Sequence, residues 1–522
     1  MAVILVGEVV NSADAVTGFN VGAISGDDDF VQGTGAIGIK VSATASEMYT
    51  TTLGATAPYD FSTGGTENGY HIVMWFNSKS PINSTSGFRI IVGDGTSRGH
   101  WNVVPSGFYK GGFITRVVNT GRPFDSIAAG TWTTGSTVNP RQLSAVTTMG
   151  GLLNTPASIM GSFNNFQLDQ FTIGLGLRVT GGTVGVPNTF EEVRVADEDT
   201  NKWGWWSSSN GAIIGKGKLY IGPATGNLGT VFSDTASVVI FADEKVANDF
   251  YEISMRGTGT TVSWSLASIS SANPSNARWS LSINSTTNSF SDSNGVWTGA
   301  RNLYLSSNAG LTGTTMIDCN KLYQSGATLN GCNILAVNTS AGTAYIESNA
   351  PEKISNCSFT FSSGHAIEFT SDVSTAITFS NNFFIGYGAS GTTDAAIYNN
   401  SGKAVTINIV NGGDSPTIRD GAGASTTVVN AVALTLTNIV NDSEVRIYLA
   451  GTTTELGGEE SVTDGTFTYS YTYQAGTYVD IVVFKTEYTF NEPEGRISNF
   501  LLTSTDTSIP ISQKFDRNYS NP

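Results

Sequence analysis

The tetrapeptides Gly331-Cys332-Asn333-Ile334, Asn356-Cys357-Ser358-Phe359 and Asn381-Asn382-Phe383-Phe384 recur at a fixed interval, 25 residues from Cys332 to Cys357 and 25 from Cys357 to Asn382. Between them lie the apolar segments Ala344-Tyr345-Ile346-Glu347, Ala366-Ile367-Glu368-Phe369 and Ala396-Ile397-Tyr398, whose spacing drifts from 22 to 30 residues. A period of roughly 20–50 residues made of short strands specifies a solenoid: one turn cannot bury its apolar face alone, and stacked turns share a core. The expected element is a short right-handed parallel β-helix over residues 261–430. Cys332 and Cys357 then stack as small buried hydrophobes, and Asn382 continues their column.

The flanking regions read as sandwiches. Residues 1–260 carry candidate strands at Ile37–Ser42, Tyr70–Phe76, Phe88–Val92, Phe113–Val118, Gln167–Val179 and Leu219–Ile221. His71-Ile72-Val73-Met74-Trp75-Phe76 is apolar almost throughout, as a strand covered on both faces must be. Residues 431–495 contain Thr466-Phe467-Thr468-Tyr469-Ser470-Tyr471-Thr472-Tyr473, which alternates strictly. With Glu444–Leu449 and Tyr478–Phe484 it predicts a small immunoglobulin-like sandwich. Residues 496–522 read as an extended arm that docks on a neighbour. The fold class is all-β, with helix expected only at Asp243–Asp249 and a turn after Pro140.

Composition narrows the function classes. Charged residues are 13% of the 522, about half the roughly 25% of an average domain. The 60 glycines come with only 14 prolines and with evenly spread hydrophobics, which excludes collagen and a disordered chain. With 26 basic and 42 acidic residues the formal charge is −16, and Lys and Arg form no run. Nucleic acid and anionic membranes are therefore poor partners. Cys319, Cys332 and Cys357 are odd in number and have no metal-ligand spacing, so buried thiols and a reducing site of synthesis are expected. The first residues, Met1 to Val6, lack a basic region before a short apolar run, so no signal peptide or membrane insertion is expected.

No catalytic residue is nominated. Of the histidines, His71 lies in an apolar strand and reads as core, His365 reads as a turn entering a rung, and His100 has no evident acid and nucleophile beside it. Glycan cleavage needs two carboxylates flanking the bond. The candidates near rungs are Asp318, Glu347, Glu368, Asp372 and Asp394. Glu347 and Glu368, at equivalent positions on adjacent rungs, would lie about 4.8 Å apart, close to a retaining geometry. Solvated or ladder-forming carboxylates are the favoured reading. The runs Asp27-Asp28-Asp29 and Asp197-Glu198-Asp199 are weak calcium candidates, without the spacing of a defined oxygen cage. No other cofactor is expected. Trp203-Gly204-Trp205-Trp206 reads equally as core or as a patch for glycan or protein contact.

The inner strand of the first region and its late Gln167-Leu168-Asp169-Gln170-Phe171-Thr172-Ile173-Gly174-Leu175-Gly176 strand resemble concanavalin-like or laminin-G-like jelly-roll modules. The whole arrangement is similar to surface proteins of tailed-bacteriophage virions: tail fibres, tailspikes and capsid decoration proteins. The residues that carry this resemblance are Ile354-Ser355-Asn356-Cys357-Ser358-Phe359, Gly364-His365-Ala366-Ile367-Glu368, Ser443-Glu444-Val445-Arg446-Ile447-Tyr448 and Tyr478-Val479-Asp480-Ile481. It implies a homotrimer exposed on a particle, bound to capsid or tail proteins, with a structural or adhesive role that extends to host-surface glycan. The alternative that it implies is a polysaccharide-depolymerising tailspike, in which Glu347 and Glu368 act on glycan.

Overall fold

The computed structural model describes residues 2–15, 17–20, 23–24, 31, 35–39, 46–60, 71–78, 88–93, 98–104, 110–119, 145–153, 166–181, 189–241, 251–272, 279–283, 285–335, 340–411, 413–472, 476–491, 495–503 and 505–517. The chain is all-β apart from short helical segments, and it divides into two units, Met1–Tyr323 and Gln324–Pro522.

The first unit opens with antiparallel strands in two sheets. Phe166–Thr180 pairs with Ala2–Asn11 on one side and with His71–Ser78 on the other, and His71–Ser78 pairs in turn with Lys110–Asn119. The second sheet runs Ser46–Thr50, Thr148–Leu153, Phe88–Gly93, Arg98–Val104. Met48, Ile72, Met74, Phe76, Ile90 and Phe171 belong to the core that the two sheets share. The strands expected from sequence in this region are all strands, in the parts of them that are described.

From Ala212 onward the strands follow one another in sets of three, each pairing in parallel with its counterpart in the next set. One inner column runs Leu219, Ile253, Leu281, Leu303, Leu322 in strict register, every member fully buried. Burial of each such side chain contributes about 1.5–3 kcal/mol. This parallel coil corrects the expected boundary at 260, because Ile213 and Val239 already pair in parallel. The repeat is hidden there because its turns differ in length. From the left-handed Ala236 to the left-handed Leu266 is 30 residues, against 25 from Cys332 to Cys357.

Helix occurs where the sequence reading placed none. Thr189 and Glu192 form a reciprocal capping box that starts Phe190–Arg194, followed by a π-helical Val195–Asn201. The signal was present as Thr-x-x-Glu ahead of apolar residues. Phe190 fills the core beside Trp206, Phe232 and Trp264. The helix expected at Asp243–Asp249 and the turn after Pro140 lie outside the described residues.

The second unit begins with the same three-strand sets. Ile346, Ile367 and Ile397 stack in register as an inner column, all fully buried. Asn356 and Asn381 adopt left-handed turns, and their amides continue a surface ladder: Asn356 Nδ2 donates to Asn330 Oδ1 at 2.7 Å and Asn381 Nδ2 to Asn356 Oδ1 at 3.1 Å. The 25-residue repeat is thus one turn of coil. Cys332 and Cys357 are buried thiols, and buried Asn382 donates to Ile354 O and accepts from the Cys357 N–H.

Ser425–Thr437 starts parallel to Ala404–Val410 and ends antiparallel to Phe467–Thr472. Opposite lies a sheet of Glu455–Val462, Ser443–Leu449, Tyr478–Phe484 and Arg496–Leu501. The expected C-terminal arm is corrected. Arg496–Leu501 pairs with Tyr478–Phe484, Thr507–Pro510 with the end of Ser425–Thr437, and Gln513–Phe515 with Tyr488–Phe490. The tail completes its own sandwich because Leu502 and Ile511 are needed in that core.

Candidate functional site

In the second unit Ala344–Ser348, His365–Phe369, Ile397–Asn399 and Ile418–Asp420 form one parallel sheet. Each carries an isoleucine followed by one outward residue. Register therefore aligns Glu347, Glu368, Tyr398 and Arg419 in a single outward column, with about 4.8 Å between steps. Glu347 and Glu368 sit on directly paired positions, the spacing expected from sequence.

The far end of the column is tightly organised. His365 is fully buried; its Nδ1 lies 2.5 Å from Ala395 O and its Nε2 lies 3.3 Å from Arg419 Nη1. A ring nitrogen facing a carbonyl must carry the proton, so Nδ1–H donates to Ala395 and Nε2 accepts from Arg419. Burial, reinforced by the Arg419 charge and opposed by the Ala395 hydrogen bond, holds the imidazole below its ordinary range. The Tyr398 ring stacks on His365 at 5.2 Å, and the Arg419 guanidinium lies 4.9 Å from the same ring. Tyr398 OH donates to Asn400 Oδ1 at 3.2 Å, and Asn400 Nδ2 donates to Glu368 Oε1 at 2.9 Å. Two carboxylates, a phenol and a guanidinium are thereby fixed side by side on one half-exposed strip. Such a strip can accept and donate hydrogen bonds along a polyhydroxyl chain. The repeating Ile-x pattern, including Ile418-Arg419, was the signal that could have added Tyr398 and Arg419 to the two glutamates.

The other candidates are placed elsewhere. Asp318 takes a left-handed turn in the first unit, Asp372 is exposed in a turn, and Asp394 accepts from Thr392 Oγ1 at 2.5 Å. Of the two readings of the tryptophans, core holds for Trp205 and Trp206, which are fully buried and so unavailable as contact residues. Trp205 Nε1 donates to Thr172 Oγ1 at 2.9 Å, and Trp206 lies parallel to Phe190 with centroids 6.0 Å apart. Trp203 is half-buried, and its carbonyl accepts from Thr172 Oγ1.

The calcium expectation at Asp197 and Asp199 is corrected as well. Asp197 is fully buried and accepts from the Trp206 N–H at 2.5 Å, while Glu198 and Asp199 pair with Arg194 at 2.7 and 3.2 Å. Asp197 faces the Trp206 N–H while Glu198 and Asp199 are both taken by Arg194, so the three form no oxygen cage. Among the described residues no group of three His, Cys, Asp or Glu is arranged to hold a metal. Asp27, Asp28 and Asp29 lie outside the described residues. His71 is a core residue, edge-on to Trp205 at 5.9 Å, and burial with the nearby Lys218 charge pushes it down to about 3. His100 occupies a strand position opposite Ile91.

No family model matches the chain, and no curated protein matches it. Among solved structures, the chain is similar to one described as "Crystal structure of Agl-KA catalytic domain", at 10% identity over 75% of this chain and 91% of that chain, with a TM-score of 0.20. A likeness at that score carries no argument about fold or activity.

Proposed function

We propose that the chain is a structural and adhesive component of a bacteriophage virion, exposed on the particle and assembled as a homotrimer. The observation that supports this reading is the in-register coil. Inner columns such as Leu219–Ile253–Leu281–Leu303 and outer ladders such as Asn330–Asn356–Asn381 repeat the same contacts turn after turn. Such stacking must be undone over a long stretch before the chain opens, which gives slow unfolding suited to a particle outside a cell. Trimer formation would cover the sheet edges that a lone chain leaves open. The Glu347–Arg419 column is then an attachment strip for host-surface glycan.

The test is to probe purified particles with an antibody against residues 431–522. Gold label at regular sites on the particle is expected, with loss of incorporation when 431–522 are deleted. Protein found only in the soluble lysate, with no label on particles, would end the reading. Sedimentation of the purified chain should give about three times the 54.8 kDa protomer mass.

The pairing of Glu347 with Glu368 favours a second reading, depolymerisation of host polysaccharide with retention. It requires new reducing ends when the protein meets capsular or lipopolysaccharide glycan, and their loss in Glu347→Gln and Glu368→Gln. Under the structural and adhesive reading no reducing ends form, and both variants leave particle assembly intact while weakening attachment to host-surface glycan.

A further inference from the structure

The antiparallel sandwich of the first unit contains a cavity of about 330 Å³ lined by Glu8, Thr56, Pro58, Tyr59, Asp60 and Ile173. Its volume falls within the roughly 300–1,000 Å³ of small-ligand sites. It is built by a backbone irregularity. Val6 pairs with Gly176 but Gly7 with Gly174, so the register of Ala2–Asn11 slips by one residue between Val6 and Gly7. The slip reverses which side chains face inward: even-numbered Ile4 is 45% exposed before it, and odd-numbered Val9 is 40% exposed after it. Glu8 is thereby turned to the inner side, the re-aiming that bulges perform. Glycine is required at the slip, since a Cβ on Gly7 would lie 1.9 Å from Ile173 O.

Once inside, Glu8 is held by one oxygen only. Thr56 Oγ1–H donates to Oε1 at 2.5 Å, and the Tyr59 hydroxyl donates to the same atom. The carboxylate rests against Gly54, where a Cβ would lie 2.7 Å from Oε1. Burial, then the Glu8 contact, pushes the Tyr59 phenol above its ordinary range, so it stays a donor. Oε2 accepts no hydrogen bond among the described residues and remains a fixed, charged acceptor. Asp60 adds a second carboxylate to the lining, no lysine, arginine or histidine among the described residues lines the cavity, and Pro58 and Ile173 give it apolar surface.

We propose that this cavity binds a small ligand through a primary ammonium group, seated against Glu8 Oε2 and Asp60 with its carbon body on Pro58 and Ile173. An ammonium matches the site because it supplies donors and a positive charge to Glu8 Oε2, the two hydroxyl donors of the lining being taken by Oε1. The ligand chemistry fits an amino sugar of a glycan or a free alkylamine. This assignment stands apart from the particle reading, and the failure of either leaves the other intact.

The test is calorimetric titration of the full chain at low salt with glucosamine, ethanolamine, glucose and N-acetylglucosamine. Glucosamine should bind at least about tenfold more tightly than glucose or N-acetylglucosamine, which keep the ring and lose the ammonium. Ethanolamine binding as well as glucosamine identifies a free amine as sufficient, and much weaker ethanolamine identifies the sugar ring as part of the ligand. Glu8→Gln, with an unchanged thermal transition, should weaken glucosamine by at least about tenfold. Should that variant fail to fold, Asp60→Asn, in an exposed position, should weaken it by about threefold or more. Absence of glucosamine binding at millimolar concentration, glucose binding equally well, or an unchanged affinity in a folded Glu8→Gln or Asp60→Asn would overturn the assignment.

Discussion

The imidazole of His365 and the guanidinium of Arg419 meet across an intervening strand, Nε2 to Nη1 at 3.3 Å, and both lie against the ring of Tyr398 that the strand supplies. The contact joins side chains 54 positions apart through nothing but the stacking of turns. It places a permanent cation beside a ring kept neutral, at the end of a column that begins with two glutamates.

Replacing Arg419 with Met keeps an unbranched apolar stem and removes the charge. His365 should then titrate closer to its ordinary range, since one of the influences holding it down is gone. The lost stacking on Tyr398 should cost about 1 kcal/mol. Histidine NMR titration of wild type and Arg419→Met checks this; an unmoved His365 curve would show that burial alone sets it.

Asp197 is pushed up to about 8 and Asp292 to about 6, in both cases chiefly by burial. Each folded value lies above that of the unfolded chain, so the native state keeps a proton that the unfolded state has lost. Stability contributed by these groups is full below about pH 4 and declines as pH rises, to about 8 for Asp197 and about 6 for Asp292. The slope reaches about 1.4 kcal/mol per pH unit for each group. Asp197→Asn keeps the acceptor for the Trp206 N–H and should flatten the decline between pH 6 and 8, where Asp197 alone titrates. Urea midpoints measured at those two values decide it, and parallel curves for variant and wild type would count against the assignment.

His71 acts with the opposite sign. Pushed down to about 3, it remains neutral in the folded state where the unfolded chain takes up a proton. Its contribution is full above about pH 6.5 and is lost as pH falls toward 3. His71→Phe, which retains an aromatic against Trp205, should delay acid unfolding of the first unit. Near-UV circular dichroism followed from pH 7 to 3 is the measurement, with coincident acid transitions as the contrary result.

The turns of the coil offer a paired test of backbone cost. Asn356 holds φ at 56° and Leu266 holds the same angle, yet Leu266 is 55% exposed and carries a side chain poorly suited to that region. Asn356→Ala should destabilise by about 1–2 kcal/mol, from strain and from the lost ladder bonds, whereas Asn356→Gly should cost less. Leu266→Asn should stabilise by about 0.5–1 kcal/mol. Equal denaturation midpoints for Leu266→Asn and wild type would contradict the strain argument.

Periodicity made much of this molecule readable in advance. The interval from Cys332 to Asn382, the alternation from Phe467 to Tyr471 and the continuous apolar run from His71 to Phe76 each point to strands, because the order of residues alone shows whether one face of a strand is covered or both. Even the juxtaposition of Glu347 with Glu368 follows from equal positions on successive turns. Three-dimensional packing decided the rest. The interval of 30 residues from Ala236 to Leu266, against 25 from Cys332 to Cys357, concealed the coil ahead of residue 261, since a repeat is easily seen only where its loops are equal. Trp205 and Trp206 became core because Thr172 and Phe190 meet them there. Glu8 faces a cavity because two strands slip by one residue, a choice made by backbone approach at Gly7 and Gly174 that no single segment encodes.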